Sequence, residues 1–266
     1  MSAGSWVRAR SAFSLLELLI CLAIVAVLVG LLLPLLHHAR GASLVTVCQS
    51  NLRQVGVGYQ GYLQDFERFP AEPAVERGGE AATPEWHYGG VDYVGAGRVP
   101  VVTAARPINA YITGGDAGDQ VRSALVFRCP ADRGVSAGTP LPGKPVTWDD
   151  ADANTPLFER FGTSYLANPL LSDRARAFGE PFAMDTEPEP VRLQEIAVST
   201  SRLLVAGDPV WHAATREAGS ADASAIDDLS WHTARARGNF LAADGSVRTT
   251  VFDGPETAGY TLTPIR

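Results

Sequence analysis

An uninterrupted apolar segment near the N-terminus constrains this chain more than any other feature. Residues 18–36 read LLICLAIVAVLVGLLLPLL and carry no formal charge. A helix of about 20 apolar residues spans the roughly 30 Å hydrocarbon core of a membrane. Arg8 and Arg10 precede the segment without an acidic neighbour, so the positive-inside rule predicts a cytoplasmic N-terminus. The segment is longer than the apolar part of a secretory signal peptide, and no clean A-x-A cleavage site follows it. We therefore predict a single-span anchor.

The composition excludes several classes of protein. The chain has 266 residues, of which 46% are hydrophobic, so a wholly disordered chain is excluded. Its formal net charge of −7 and pI of about 5.2 give no support to nucleic-acid binding, and no nucleic-acid partner is predicted. Three Cys are too few for a disulfide-dense scaffold. The length allows one large domain or two small ones.

Behind the apolar segment, the pattern changes to one apolar residue at every third or fourth position. The stripe consists of Leu44, Cys48, Leu52, Val55, Tyr59, Tyr62 and Phe66. This spacing places all seven side chains on one face of a helix. We predict a transmembrane helix over 13–36 and its amphipathic continuation over 37–69, with Pro70 as the stop signal. The three glycines in VGVGYQG either allow a strand to approach this helix closely or mark an earlier end of it.

The remainder of the chain, 70–266, has the pattern of a globular domain built from short strands and long loops. Apolar runs typical of strands occur near Tyr93 and at 99–104, 124–129, 163–168, 202–208 and 238–252. The last run predicts a hairpin with Asp244-Gly245 as its turn. Segments rich in Pro, Gly, Ala and acidic residues, namely 71–85, 131–156 and 215–229, are predicted to be surface loops. We therefore expect an α+β fold, in which one long N-terminal helix packs on a mainly antiparallel sheet.

Glu17 stands at the edge of the apolar segment, where an unpaired carboxylate is costly. Its surroundings, SAFSLLELL at residues 11–19, resemble the type IV prepilin signal. In that signal a short basic leader is cut before a Phe, and a Glu follows four residues later. The resemblance implies cleavage between Ala12 and Phe13, and an ion pair between Glu17 and the new Phe13 amine of a neighbouring subunit. The residue before the cut is usually Gly in this family, whereas here it is Ala12.

Four further segments extend the resemblance over nearly the whole chain. CQSNLRQVG, FRCPAD and TSYLAN resemble the Cys-x-x-Asn helix, the Cys-Pro-Ser-Asp element and the Ser-Tyr-x-x-Asn element of a large bacterial family of prepilin-like proteins. The C-terminal WHTARARGNFLAADGSVR resembles the family signature of a His that is followed, after a spacer, by Asp-Gly. Here 11 residues separate His232 from Asp244-Gly245, where the signature usually has nine.

This resemblance implies a pilin-like fold and a structural pilin or pseudopilin subunit, not an enzyme. A prepilin peptidase would remove residues 1–12 as a leader peptide and N-methylate Phe13. The subunit would then join other pilin or pseudopilin subunits at the assembly platform of a pilus or type II secretion machine. Glu17 and Pro34, a helix-loosening Pro where pilins often carry one, would lie in the packed helices. The protein would reside in the inner (cytoplasmic) membrane of a bacterial envelope, with the domain at 70–266 on the periplasmic or extracytoplasmic side.

His and Asp side chains in one C-terminal stretch could form a metal site or an acid–base pair. They are His212, His232, Asp208, Asp227, Asp228 and Asp244. The simpler interpretation is that Asp244 caps the hairpin turn and that His232 hydrogen-bonds Asp244 or the backbone. No metal ligand and no catalytic residue is therefore assigned. The segment Asp150-x-Asp152-x-Asn154 opens like a calcium loop but lacks the sharp-turn Gly and the closing Glu. No cofactor is expected, although loosely bound calcium stays open.

Two of the three Cys follow the predicted anchor. Cys48 and Cys129 would meet oxidising conditions there and either form a disulfide or remain two buried thiols. Cys21 lies inside the apolar segment and only packs. A bridge requires Cα atoms within about 7 Å, a distance that a sequence does not reveal.

Two other functions fit the same pattern. One is a single-span envelope binding module that holds a metal near His232 and Asp244, with Glu17 only an interfacial residue of an imperfect transmembrane helix. The other is a metal-dependent hydrolase on a membrane stalk. The sequence has no Gly-x-Ser-x-Gly, phosphate loop, dinucleotide fingerprint or His-Glu-x-x-His motif, which disfavours the hydrolase. Fibre assembly separates the pilin from both alternatives.

Overall fold

The chain divides into two compact units, residues 1–43 and 44–266. The computed structural model describes residues 15–71, 76–77, 80–81, 88–94, 99–103, 106–114, 116–136, 139, 154–178, 189–215, 223–232, 234–254 and 259–265. The predicted leader peptide at 1–12 and Phe13 therefore lie outside the described residues.

The longest element is α1, which covers Leu15–Phe66 and has 52 residues. Every residue between 15 and 36 is exposed, and nearly all of them are apolar. Leu and Ala are strong helix formers, and no charge interrupts the run after Glu17. Among the described residues, α1 is the helix whose length and composition would allow it to cross a membrane.

The second part of α1 buries one face, as the apolar stripe predicts. Five of the seven stripe residues are buried, namely Cys48, Leu52, Val55, Tyr59 and Tyr62. Leu44 is half-buried. Phe66, the last residue of the helix, is 49% exposed, although its ring packs on Tyr62 with 4.5 Å between the ring centroids.

α1 ends at Phe66, the last residue of the apolar stripe, three residues before the segment boundary at 69. The N–H of Glu67 still donates to the carbonyl of Leu63 at 2.9 Å. The φ of Glu67 is +53°, a left-handed conformation that ends many helices. The backbone of Arg68 then pairs with the backbone of Arg192 in an isolated antiparallel β-bridge. The backbone at Glu67 therefore ends the helix before Pro70 is reached.

Glycines allow two elements to contact α1 at close range. A Cβ atom at Gly56 would lie 2.7 Å from Cδ1 of Leu241, which belongs to a strand, as the sequence suggested. A Cβ at Gly58 would lie 2.7 Å from Cγ2 of Ile108, next to a short helix. The glycines therefore accommodate neighbours, and the helix does not end at them.

Eight strands in the described residues form three antiparallel sheets. They are β1 (Glu76–Arg77), β2 (Glu80–Ala81), β3 (Asp92–Val94), β4 (Val99–Val101), β5 (Leu166–Ala167), β6 (Leu204–Gly207), β7 (Arg237–Ala242) and β8 (Val247–Val251). The first two pair with each other, as do β3 and β4, and the last four form one sheet in the order β5-β6-β7-β8. The β7–β8 hairpin turns at Asp244-Gly245 and confirms the hairpin predicted over 238–252.

This hairpin lies along the second part of α1. Nε2 of Gln49 donates to Oγ1 of Thr249 at 2.7 Å, and Nε2 of Gln60 donates to the carbonyl of Ala243 at 2.8 Å. Together with the close contact at Gly56, these bonds fix the hairpin against the helix. The α+β class predicted from the sequence is confirmed.

Short helices are the part of the fold that the sequence pattern did not predict. They are α2 (Asn109–Ile112), α3 (Ala117–Ser123), α4 (Leu157–Phe161), α5 (Pro169–Ser172), α6 (Arg174–Phe178), α7 (Val210–Thr215) and α8 (Ala223–Leu229), with 3-10 helices at Ala124–Phe127 and Leu193–Glu195. Three predictions were wrong, since the run at 124–129 is not a strand, part of 71–85 forms β1 and β2, and part of 215–229 is helical. The N–H of Ala124 donates back to the carbonyl of Gln120, so the helical path of α3 continues into this run. An apolar run of six residues does not distinguish a strand from a buried helical turn.

Candidate functional site

The first candidate site is the exposed apolar part of α1. Leu15 and Leu31 are 83% and 69% exposed, and no residue in the most apolar 18-residue window of the helix is buried. Glu17 lies in the first turn of the helix, and Pro34 lies inside it. Pro34 has no N–H to donate to the carbonyl of Gly30, which weakens the helix at that point.

Processing of the leader stays a prediction. Ala12 and Phe13, which flank the expected cut, lie outside the described residues. Glu17 and Pro34 are described, and both are exposed, as residues that contact lipid or neighbouring helices would be.

The second candidate site consists of the buried residues around Cys48. Cys48 on α1 and Cys129, 81 positions later in the sequence, form a disulfide with Cα atoms 5.2 Å apart. This Cα separation is within the usual range for a bridge. Both residues are at most 1% exposed. Of the two states that the sequence left open, the structure has the disulfide.

Family motifs converge on this disulfide. In the Cys-x-x-Asn motif, Nδ2 of Asn51 donates to the carbonyl of Arg128 at 2.8 Å, directly beside Cys129. In the Ser-Tyr-x-x-Asn motif, the hydroxyl of Tyr165 donates to the carbonyl of Cys48 at 3.4 Å. Burial raises the pKa of Tyr165 well above its usual value, so this phenol stays protonated and remains a donor.

The Asp of FRCPAD joins the same elements through hydrogen bonds. Asp132 accepts the N–H groups of Leu157 and Phe158 at the start of α4, both at 2.9 Å, and the hydroxyl of Ser164 at 2.6 Å. Burial raises the pKa of Asp132, while these hydrogen bonds act in the opposite direction. Asp132 therefore positions FRCPAD against α4 and against the Ser-Tyr-x-x-Asn element.

His232 of the C-terminal signature also reaches the disulfide. Its Nε2 lies 3.6 Å from Sγ of Cys129 and 3.2 Å from Oδ2 of Asp208. The same Oδ2 accepts the N–H of Asn239 at 2.6 Å. His232 and Asp208 are only 2% and 1% exposed. The carboxylate partner of His232 is thus Asp208, which corrects the expected bond to Asp244.

Asp244 lies at the opposite end of β7 from His232. Oδ1 of Asp244 accepts the N–H and the hydroxyl of Ser246 at 2.9 and 2.6 Å, and Gly245 adopts a φ of +84°. The predicted turn role of Asp244-Gly245 is confirmed. The spacer of the signature contains β7, with Ala236 before it at a left-handed φ of +58°.

The other acidic residues of this stretch serve local structure. Asp227 pairs with Arg235 at 2.7 Å, and Asp228 accepts the hydroxyls of Ser136 and Thr139. The structure does not gather the six predicted His and Asp residues into one site. Asp150 and Asp152 of the possible calcium loop lie outside the described residues, so calcium binding stays open.

Sequence reasoning missed one buried ion pair. Arg106 is 2% exposed, and its Nε and Nη2 donate to Oδ1 of Asp92 at 3.2 and 3.1 Å. Its remaining donors reach the carbonyls of Gly89 and Phe161, both at 2.6 Å. This satisfied pair joins β3 to α4 and is structural. No local pattern in the sequence distinguishes Arg106 from a surface Arg.

Comparison with protein families supports the first site directly. A family model described as a prokaryotic N-terminal methylation motif matches residues 7–33. A second model, described as a protein of unknown function (DUF1559), matches residues 37–197, more than half of the chain. No curated protein and no solved structure matches. The chain therefore belongs to the DUF1559 family and carries the prepilin-type methylation motif of a type IV pilin-like or pseudopilin-like protein.

Proposed function

We propose that this protein is a structural subunit that a prepilin peptidase cleaves before Phe13 and methylates, and that then assembles into a pilus or secretion pseudopilus. The observation that carries the proposal is the match of the methylation motif to residues 7–33, which run into the exposed apolar part of α1. The match supports the pilin-like class. Assembly into a fibre is our proposal.

The exposed apolar part of α1 needs a cover from outside the chain. Nearly all leucine side chains in this part are more than half exposed, and they lie on all sides of the helix. In water, each Å² of this apolar surface would cost about 25 cal/mol relative to burial. A membrane provides the cover before assembly. Neighbouring apolar helices in a fibre core would provide it afterwards, so the same surface serves both states.

Glu17 would determine the axial register between neighbouring subunits. Cleavage would create an amine on Phe13, four residues before Glu17. In an apolar medium, a carboxylate and an ammonium attract each other strongly, and either charge alone is costly. An incoming subunit whose Glu17 meets the Phe13 amine of its neighbour would therefore be held at one height along the fibre.

The buried pair in the second site opposes the hydrolase alternative. His232 and Asp208 have almost no exposed surface, so no substrate could approach them without unfolding the region. Hydrogen bonds from the backbone or from neighbouring side chains engage Asp132, Asp208 and Asp228. These contacts support a structural role of the head, residues 44–266.

Two measurements test the proposal. Intact mass of membrane-extracted protein should show a mature chain of 254 residues that begins at Phe13, with the added mass of a methyl group. A chain that begins at Met1, or beyond Leu36, would contradict processing as a prepilin.

Assembly is tested with Glu17→Gln and Glu17→Ala. Both should insert into the membrane and be cleaved, yet give several-fold less tagged subunit in sheared or cross-linked fibres. Glu67→Gln, at the other end of α1, is the matched control and should assemble normally. An Ala12 variant that resists cleavage serves as the negative control. Normal incorporation of both Glu17 variants would mean that Glu17 is only an interfacial residue, whereas absence of the wild-type subunit from fibres would favour the membrane-anchored binding module.

A further inference from the structure

Three side chains at the disulfide, Cys48, Cys129 and His232, form a compact group, and Asp208 adjoins it through His232. We call these four residues the thiol–imidazole cluster. The ligand atoms of the two Cys and of His232 all lie within 4.8 Å of one another. Oδ2 of Asp208 is 3.2 Å from Nε2 of His232. All four residues are buried.

One polar atom of the cluster lacks a hydrogen bond. Oδ1 of Asp208 is buried and has no hydrogen-bond partner among the described residues. A buried carboxylate oxygen without a partner is costly, and such atoms are rare in native proteins. In the disulfide state, Oδ1 of Asp208 is therefore a potential metal ligand without a hydrogen bond to any residue that the structure describes.

We propose that, before the disulfide forms, the thiol–imidazole cluster binds one divalent zinc-type ion through Cys48, Cys129, His232 and Asp208. Two thiolates, one imidazole and one carboxylate are the donor types that Zn²⁺ takes in four-coordinate sites. After reduction the two sulfur atoms are no longer held at bonding distance, and they can move apart until each lies at about 2.3 Å from one ion.

The two states of the cluster exclude each other. Binding of the ion releases the two thiol protons. Formation of the disulfide removes two electrons from the two thiolates. A disulfide oxidant accepts these electrons with two protons and becomes two thiols, and the ion leaves.

The ion would fasten the same two elements that the disulfide later joins. Cys48 lies on α1, and Cys129 lies 81 positions further along the chain. Metal bound to folded protein stabilises it by mass action. The thiol form of the head would therefore be held in the native arrangement, with its sulfurs protected, until oxidation.

The test uses the full chain in detergent, with Cys21→Ser as the common background so that only two thiols remain. The protein is reduced with a phosphine under anaerobic conditions and titrated with Co²⁺ as the probe, followed by Zn²⁺. We expect one Co²⁺ per chain with thiolate-to-cobalt charge-transfer absorption, complete displacement by Zn²⁺, and no binding by the oxidised chain. Zn²⁺ should also raise the melting temperature of the reduced chain.

Variants identify the ligands. Cys48→Ser and Cys129→Ser should each remove most of the charge-transfer absorption. His232→Gln and Asp208→Asn should each weaken binding by at least about tenfold. His212→Gln, a second His outside the cluster, is the matched control and should bind as the background protein does.

Three results would overturn the proposal. They are the absence of charge-transfer absorption in the reduced chain, no rise of its melting temperature with Zn²⁺, and equal affinity of the His232 and His212 variants. The last would mean that the ion binds thiolates in an unfolded chain. None of these results affects the proposed assembly function, because that proposal rests on the N-terminal motif.

Discussion

The two parts of α1 are both apolar and both helical, but they differ in what covers them. Between residues 15 and 36 every side chain is exposed. Between 44 and 66 one face is buried, and the β7–β8 hairpin and α2 cover it. Apolar content alone does not separate the two parts, whereas its spacing does. A continuous run fits an apolar environment on all sides, and a stripe fits a neighbour on one side. Identical substitutions in the two parts should therefore have different effects.

The largest difference is expected for cysteine. Cys48→Ser opens a loop that spans 81 positions, and chain entropy predicts a loss of about 4 kcal/mol in the free energy of unfolding. Cys21→Ser, in the exposed part, should leave the unfolding of the head unchanged. Denaturant unfolding of the oxidised full chain, followed by fluorescence of the buried Trp211 and Trp231, measures both variants. Equal stability of the two would mean that the disulfide does not constrain the head.

Leucine gives the next largest contrast. Leu52 is fully buried, so Leu52→Ala should cost about 2–5 kcal/mol through lost burial and a cavity. Leu33 is 62% exposed, so Leu33→Ala should change the unfolding of the head by less than about 0.5 kcal/mol. The same fluorescence assay applies. A comparable loss in both variants would show that the head depends on contacts of the exposed part.

Glycine tests the close packing on α1. A Cβ at Gly58 would lie 2.7 Å from both Ile108 and Ile112. Overpacking of about 1–3 kcal/mol should exceed the gain of about 1 kcal/mol in helix propensity, so Gly58→Ala should lower the melting temperature of the head. Gly30 has no atom within 4 Å of the added Cβ, and Gly30→Ala should have no such effect. A higher melting temperature for Gly58→Ala would show that the neighbours yield.

The smallest effect is expected at the turn of the hairpin that covers α1. Burial raises the pKa of Asp244, but the hydrogen bonds from Ser246 and the charge of Arg248 outweigh it, and the pKa lies below its ordinary value. The ionised form therefore stabilises the fold above the pKa of the unfolded chain, and this contribution disappears as the pH falls through the lower folded value. Asp244→Asn should cost no more than about 0.5 kcal/mol at neutral pH.

Melting temperature as a function of pH measures this contribution. The difference between wild type and Asp244→Asn should vanish in acid, because the protonated carboxyl and the amide then act alike. A difference that persists in strong acid would assign the effect to shape and not to charge.

The features that the sequence predicted depend on near neighbours in the chain. The stripe of α1 is read from spacings of three and four residues, and the β7–β8 hairpin from an Asp-Gly turn between two apolar runs. For the glycines near Gly56, the sequence left two alternatives open, and the close approach of a strand was one of them. In each of these cases, the residues that determine the structure lie close to one another in the sequence.

The second site was not predictable because its pairs are distant in sequence. His232 meets Asp208, 24 positions earlier, whereas the signature suggested Asp244 as one partner. Outside the second site, Asp92 on β3 likewise pairs with Arg106, 14 positions later, without any local pattern. Short helices such as Ala124–Phe127 have less than two turns, so no periodicity identifies them. The sequence correctly singled out Cys48 and Cys129 but could not decide whether they meet.

The position of the disulfide also determines how the head would carry tension. A pull on the exposed part of α1 enters the head at its N-terminal edge and reaches Cys48 within a few residues. From there a covalent path runs through the sulfur atoms to Cys129, so residues 49–128 form a closed loop in parallel with that path. A molecule stretched between its N-terminal helix and its C-terminus cannot be extended through this loop while the bond is intact. Oxidation thereby shortens the length of chain that force can unfold. The strands β7 and β8 follow Cys129 in the sequence, so they resist the pull only through hydrogen bonds and packing.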